Sequence, residues 1–169
     1  IPPNQDGKFA DADVARLKEF RQTLDQLYSV DYATGALVEA ESTRCNPLYK
    51  ASHLTDGDEK TSWAPADDAK NGSFVLDLGK EQHFDVVELK ETIEKGQRIS
   101  AFTIDVAVNG QWVPYGAGST VGYRRLIKGQ PVDSRYIRVS ITDAQATPIL
   151  NGVSVYKTPA SMEETDGYP

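Results

Sequence analysis

Leu54-Thr-Asp-Gly-Asp-Glu-Lys-Thr-Ser-Trp63, followed by Leu76-Asp-Leu-Gly-Lys80, is the stretch that decides how this chain folds. Asp56, Gly57, Asp58 and Thr61 fall in one tight turn, and Trp63 comes two residues after Thr61. Oxygen side chains crowded around a glycine that can take positive φ suit a hard cation such as calcium. Backbone N–H groups donating to the two Asp side chains would hold the same turn without an ion, so both readings stand. The large aromatic needs a core to enter, which ties the turn to the fold.

Outward from the turn, the apolar pattern has period two. Phe74, Leu76 and Leu78 alternate with Val75, Asp77 and Gly79, while Val87 and Leu89 alternate with Glu88 and Lys90. Phe102, Ile104, Val106 and Val108 make one stripe and Ile137, Val139 and Ile141 another. With short segments around 37–40, 111–115, 119–127 and 150–156, about eight strands are expected, separated by turns such as Asn109-Gly110 and Lys128-Gly129-Gln130-Pro131. Short alternating strands without intervening helices predict an all-β antiparallel sandwich or barrel over residues 36–157. Ahead of it, Val14, Leu17, Phe20, Leu24, Leu27 and Tyr28 recur at helical spacing, predicting one α-helix over 11–28, capped by Asp11 or Asp13. Residues 158–169, with three acidic and no basic side chains, read as a flexible acidic tail.

The net charge of −7 leaves no basic face of the kind that DNA or RNA binding needs, so nucleic acid is excluded as a partner. No apolar run approaches the roughly 20 residues of a membrane span. Cys45 is the one cysteine, which rules out an intrachain disulfide, and it reads as a small half-buried thiol. His53 and His83 are 30 residues apart without ligand spacing. No serine sits in a nucleophile elbow. Asp67-Asp68 and Glu91 with Glu94 are the close carboxylate pairs in loop-like positions, and nothing forces one of either pair to keep a proton, so no catalytic residue is assigned. Trp63 reads as a core anchor, and Trp112, after the Asn109-Gly110 turn, as half-buried core.

Leu54-Thr-Asp-Gly-Asp58, Thr61, Trp63, Leu76-Asp-Leu-Gly79 and Val153-Ser-Val-Tyr156 resemble, in order, the discoidin or coagulation-factor 5/8 type C domain, a jelly-roll β-sandwich shared with family 32 carbohydrate-binding modules. Glu91-Thr-Ile-Glu-Lys-Gly-Gln-Arg98, Val121-Gly-Tyr-Arg-Arg125, Arg135-Tyr-Ile-Arg138 and Ile141-Thr-Asp-Ala-Gln-Ala-Thr-Pro148 look like the version appended to bacterial family 29 α-L-fucosidases. Ile1-Pro-Pro-Asn-Gln-Asp-Gly7 and Asp13-Val-Ala-Arg-Leu-Lys-Glu-Phe20 look like the last loop and helix of the catalytic barrels of those enzymes. The resemblance implies three parts: the end of a barrel with its linker over 1–35, the sandwich over 36–157, and the tail over 158–169.

It further implies a structural calcium held by Asp56, Asp58 and Thr61 with the carbonyl of His53. Many relatives complete that site with a Glu near the last strand, where this chain has Gly152. Glu91, Arg98, Tyr123 and Arg124 are the implied sugar contacts, with loop bracing or domain docking as the competing use of the same side chains. Galactose-type recognition is disfavoured because Ala64-Pro-Ala66 follows Trp63 where a His is usual. The implied partners are fucosylated or related glycans and an upstream catalytic barrel of a retaining α-L-fucosidase. A membrane surface is disfavoured by the near-neutral middle of the chain. The implied location is periplasmic, outer-surface or secreted, and an architectural domain with no glycan affinity is the alternative function.

Overall fold

The computed structural model describes residues 7–160. The Pro-Pro opening and all but the first three residues of the expected acidic tail lie outside them. Two compact units are distinguished among the described residues, residues 7–30 with 158–160, and residues 31–157.

In the first unit, helix α1 spans Asp11–Leu27. Its N-cap is Ala10, which makes no side-chain cap bond, so neither Asp11 nor Asp13 caps the helix. Both lie inside the first turn, where their charge complements the helix dipole. Of the apolar stripe, Leu27 is buried, whereas Leu17 and Phe20 stand exposed.

The second unit is the expected antiparallel sandwich, built from six strands among the described residues: β1 (Leu37–Ala40), β2 (Gly72–Glu91), β3 (Ile99–Val108), β4 (Gln111–Gly118), β5 (Arg125–Ala144) and β6 (Leu150–Tyr156). The difference from eight has a physical cause. Segments 74–78 and 87–89 are the two ends of β2, and segments 119–127 and 137–141 meet in β5, each strand being 20 residues long. Near one end, β2 and β5 pair as Phe74↔Val139 to Asp77↔Tyr136, in the order β1-β2-β5-β3-β4. Near the other they pair as Val86↔Lys128 to Leu89↔Arg125, and β6 joins the free edge of β2 there.

Two irregularities in the β2–β5 register join those ends. One is the expected Lys128-Gly129-Gln130-Pro131 turn, which is a bulge inside β5: Phe84 pairs with Val132 and Val86 with Lys128. Pro131 is tolerated there because a bulge residue need not donate to the ladder. Gly129 is required for space, since a Cβ on it would stand 2.5 Å from Cζ of Tyr115. The inward stripes enclose one core of Trp63, Phe74, Leu76, Phe84, Leu89, Phe102, Ile104, Ile137 and Val155. Trp63 is fully buried, meets Phe74 edge to face at 5.1 Å, and donates its indole N–H toward the Ser42 carbonyl at 3.2 Å. Two expectations fail: Cys45 is exposed, and Trp112 is exposed because β4 is an edge strand.

Candidate functional site

The turn before Trp63 is closed by its own hydrogen bonds. Gly57 takes φ +77°, the left-handed conformation its lack of a Cβ permits. Asp56 Oδ1 accepts from the Asp58 N–H at 2.9 Å and Asp56 Oδ2 from the Thr61 hydroxyl at 2.8 Å. Asp58 Oδ1 accepts from the Lys60 N–H at 2.9 Å, and the Thr61 hydroxyl also reaches the Asp58 carbonyl at 2.9 Å. His53 Nδ1 lies 2.9 Å from the Ser62 carbonyl oxygen, on the far side of the turn. Among the described residues there is no group of three or more His, Cys, Asp or Glu side chains arranged for a metal. Gly152, at the position for a completing carboxylate, pairs with Lys90 across β2 and β6, and a Cβ there would stand 3.3 Å from Lys90 Cδ. This donor set does not fit a divalent ion, which needs several oxygens free to turn inward together.

Of the four expected sugar contacts, the structure brings Glu91, Arg98 and the Tyr123 loop to one corner, but turns two of them inward. Glu91 ends β2 with 1% exposure, and its carboxylate accepts from the backbone N–H groups of Arg98 (2.6 Å), Ile99 (3.0 Å) and Gly122 (3.2 Å). Arg98 donates from its guanidinium to the carbonyls of Lys95 at 2.8 Å and Thr147 at 2.8 Å. Together they pin the loops at 95–99, 122 and 147, the bracing use of these side chains. Tyr123, beside the pinned Gly122, is 58% exposed. Arg124 turns its Nε toward Glu88, 3.4 Å from Oε2.

Glu88 is a feature that alternation misses. It lies on the outward stripe of β2, opposite the buried Val87 and Leu89, and should be solvated, yet its exposure is 0%. Lys90 and Arg124 stand at ion-pair distance from its two oxygens, and neither oxygen has hydrogen-bond geometry to a partner. Burial raises its carboxyl above the ordinary Glu range, against the lowering pull of Arg124 and Lys90. Tyr156, near Glu88 and Asp31, is pushed up to about 12, chiefly by burial.

A second surface lies on the outward side of the five-stranded end. Trp112 on β4 pairs with Ala107 on β3. Continuing the β3–β5 register one residue past Val106↔Ile137 sets Ala107 beside Tyr136, which in turn pairs with Asp77. The row therefore reads Trp112, Ala107, Tyr136, Asp77, with two exposed rings flanking a small residue about 10 Å apart at ordinary strand spacing. The Arg138 guanidinium stacks 4.7 Å over the Trp112 ring and bonds Asp105 at 2.9 Å. Arg135 lies 5.1 Å over the Tyr136 ring and grips Asp77 through two bonds of 2.6 and 2.8 Å. That pairing holds the Asp77 carboxyl below its ordinary range. The signal in the sequence is the alternation of Tyr136 and Arg138 with Ile137 and Val139.

The F5/8 type C domain model matches residues 38–154, most of the chain and nearly all of the sandwich. The chain belongs to the F5/8 type C domain family. This F5/8 domain chain also aligns with larger proteins. It is 28% identical over 162 residues to α-L-fucosidase 1 of Arabidopsis thaliana, covering 92% of the chain and 32% of that protein. Among solved structures, SpGH29 is 46% identical with a TM-score of 0.86, over 94% of this chain and 35% of that one. A Ruminococcus gnavus GH29 fucosidase solved in complex with fucose is 30% identical, also with a TM-score of 0.86, over 96% of this chain and 33% of its own. The chain is thus homologous to the F5/8-bearing part of GH29 fucosidases, and it spans about a third of the length of the relatives it matches.

Proposed function

We propose that this F5/8 domain is a glycan-contacting accessory module of a longer polypeptide that releases α-L-fucose with retention, and that no catalysis resides in residues 1–169. The observation that carries the reading is the Trp112–Ala107–Tyr136–Asp77 row with its two guanidinium–carboxylate pairs. A sugar ring has one apolar C–H face and a rim of hydroxyls. Exposed aromatic rings beside charged hydrogen-bonding groups match both sides of that chemistry. The homology to GH29 fucosidases supports the class of ligand. Tyr123 and Arg124 form the second candidate contact, presented by a loop that Glu91 fixes in place. Export accompanies this reading, because such glycans lie outside the cytoplasm.

Titration of the chain with a fucosylated pentasaccharide and with its fucose-free core, read by tryptophan fluorescence, tests the proposal. Trp63 is sealed in the core, so a spectral change reports Trp112. A saturable change that Trp112→Ala removes is expected. Absence of binding to either oligosaccharide leaves the architectural reading. One observation favours that second reading: the exposed Leu17 and Phe20 on α1 are an apolar stripe of the kind that a catalytic barrel earlier in the same polypeptide would cover.

A further inference from the structure

Between the 54–61 turn and β6 lies a small polar cavity of about 50 Å³, lined by Leu54, Gly57, Glu59, Lys90, Asn151 and Gly152 among others. It sits where a cation would have to bridge the turn to the last strand, and a cation is already there. Lys90 leaves β2 opposite Gly152, and its ammonium lies 3.0 Å from Glu59 Oε1 and 3.6 Å from Glu88 Oε1. The absence of a side chain at position 152 gives the Lys90 stem its path. Glu59 is held a second time, since the Asn151 side-chain amide on β6 donates to its backbone carbonyl at 3.0 Å.

We propose that the Lys90 ammonium is the resident cation of this site, clamping the Asp56–Thr61 turn to β2 and β6 and making the domain independent of calcium. Two features lift this contact above an ordinary surface pair, whose net worth is small. The Lys90 side chain is only 16% exposed, and the Glu88 it also faces is fully buried, so the ammonium works in a partly desolvated setting. The Glu59 carboxyl is accordingly held below its ordinary range, with the hydrogen bond from Lys90 as the largest cause. The ammonium supplies positive charge between the turn and the last strand, as a metal ion would, but is covalently attached, so it cannot be diluted or chelated away. The remaining space suits a few waters, one of which can serve the buried Asn151 Oδ1 that has no protein donor. The proposal does not depend on whether the domain binds glycans.

The test is thermal unfolding of the chain in excess EGTA and in calcium at about 10 mM, far above the roughly 0.1–1 mM dissociation constants of weak extracellular calcium modules. The melting temperature of the unaltered chain is expected to be the same in both. Lys90→Met, which keeps the stem and removes the charge, is expected to melt about 5–10 °C lower in EGTA. Its amide hydrogen exchange is expected to be faster across 55–61. A melting temperature of the unaltered chain that falls in EGTA and recovers with calcium overturns the proposal. So does a Lys90→Met variant with unchanged melting and unchanged exchange in the turn. If that variant does not fold, the calcium arm on the unaltered chain decides alone.

Discussion

The loop corner around Glu91 and the sheet face around Trp112 carry the same kinds of residue, carboxylates, arginines and an aromatic, and use them in opposite ways. At the corner, Glu91 accepts three backbone N–H groups and Arg98 donates to two backbone carbonyls, so the polar groups are consumed in holding loops. On the face, Arg138 and Arg135 pair with Asp105 and Asp77 from neighbouring strands and stack on Trp112 and Tyr136, at a surface open to a ligand. The lesson is that a residue type does not carry a role. What carries it is whether the backbone nearby has unpaired donors and acceptors that claim the side chain first. Irregular loops have them, and a completed β-ladder does not.

The largest expected effect breaks the corner. Glu91→Ala takes the acceptor from three N–H groups, that of Ile99 buried and those of Arg98 and Gly122 part-buried, and is expected to cost about 3 kcal/mol in urea unfolding. If that variant kept full stability and lost only glycan affinity, the corner would be the recognition site and the comparison would invert.

The next effect is a pH dependence, with one sign for the buried Glu88 and the opposite sign for Asp77 on the face and for Glu59 beside Lys90. Burial raises the folded pKa of Glu88 above the ordinary 4.5 of a Glu carboxyl, so its contribution is fully present below that pH and is lost as pH rises through the folded pKa. Asp77 and Glu59 have folded pKa values lowered from 3.8 and 4.5, so theirs is present above those values and lost as pH falls through the folded ones. Glu88→Gln should therefore flatten the decline in stability above pH 4.5 and leave the acid limb unchanged, as read by urea midpoints across pH. Arg124, Lys90, Asp31 and Tyr156 are the charged and titratable groups around Glu88, and their own substitution should shift that decline. A profile identical to that of the unaltered chain would contradict the burial argument.

The smallest effect on stability belongs to the face. Trp112→Ala and Tyr136→Ala remove exposed side chains and should each cost less than about 1 kcal/mol. They should nevertheless weaken binding of a fucosylated oligosaccharide at least about tenfold, the loss of one good stacking contact. Tyr123→Ala, the control at the corner, should change it less.

The fold was legible because its signals are local. The inward stripes of β2, β3 and β5 follow from alternation, and the Asp-Gly-Asp turn delivers Trp63 to the core as its spacing implied. Strand ends were less so: Lys128-Gly129-Gln130-Pro131 has the composition of a turn, and only its partner Tyr115, across the fold, makes it a bulge. The same non-locality hid the site chemistry. Nothing within ten residues of Glu88 says that Arg124 will cover it, and nothing near Trp112 says that β4 will be an edge. The family likeness gathered Glu91, Arg98 and Tyr123 at one corner, but the direction each side chain takes follows from which backbone groups remain unpaired there.

The most direct measurement is an amide and indole NMR titration with the fucosylated pentasaccharide. The two tryptophans give separate indole N–H signals, Trp63 hydrogen-bonded in the core and Trp112 exposed on the face. Sheet-face recognition predicts that the Trp112 indole and the amides of residues 105–107 and 135–138 move while the Trp63 indole stays fixed. Shifts confined to residues 91–98 and 122–124, or no shift at all, would contradict it.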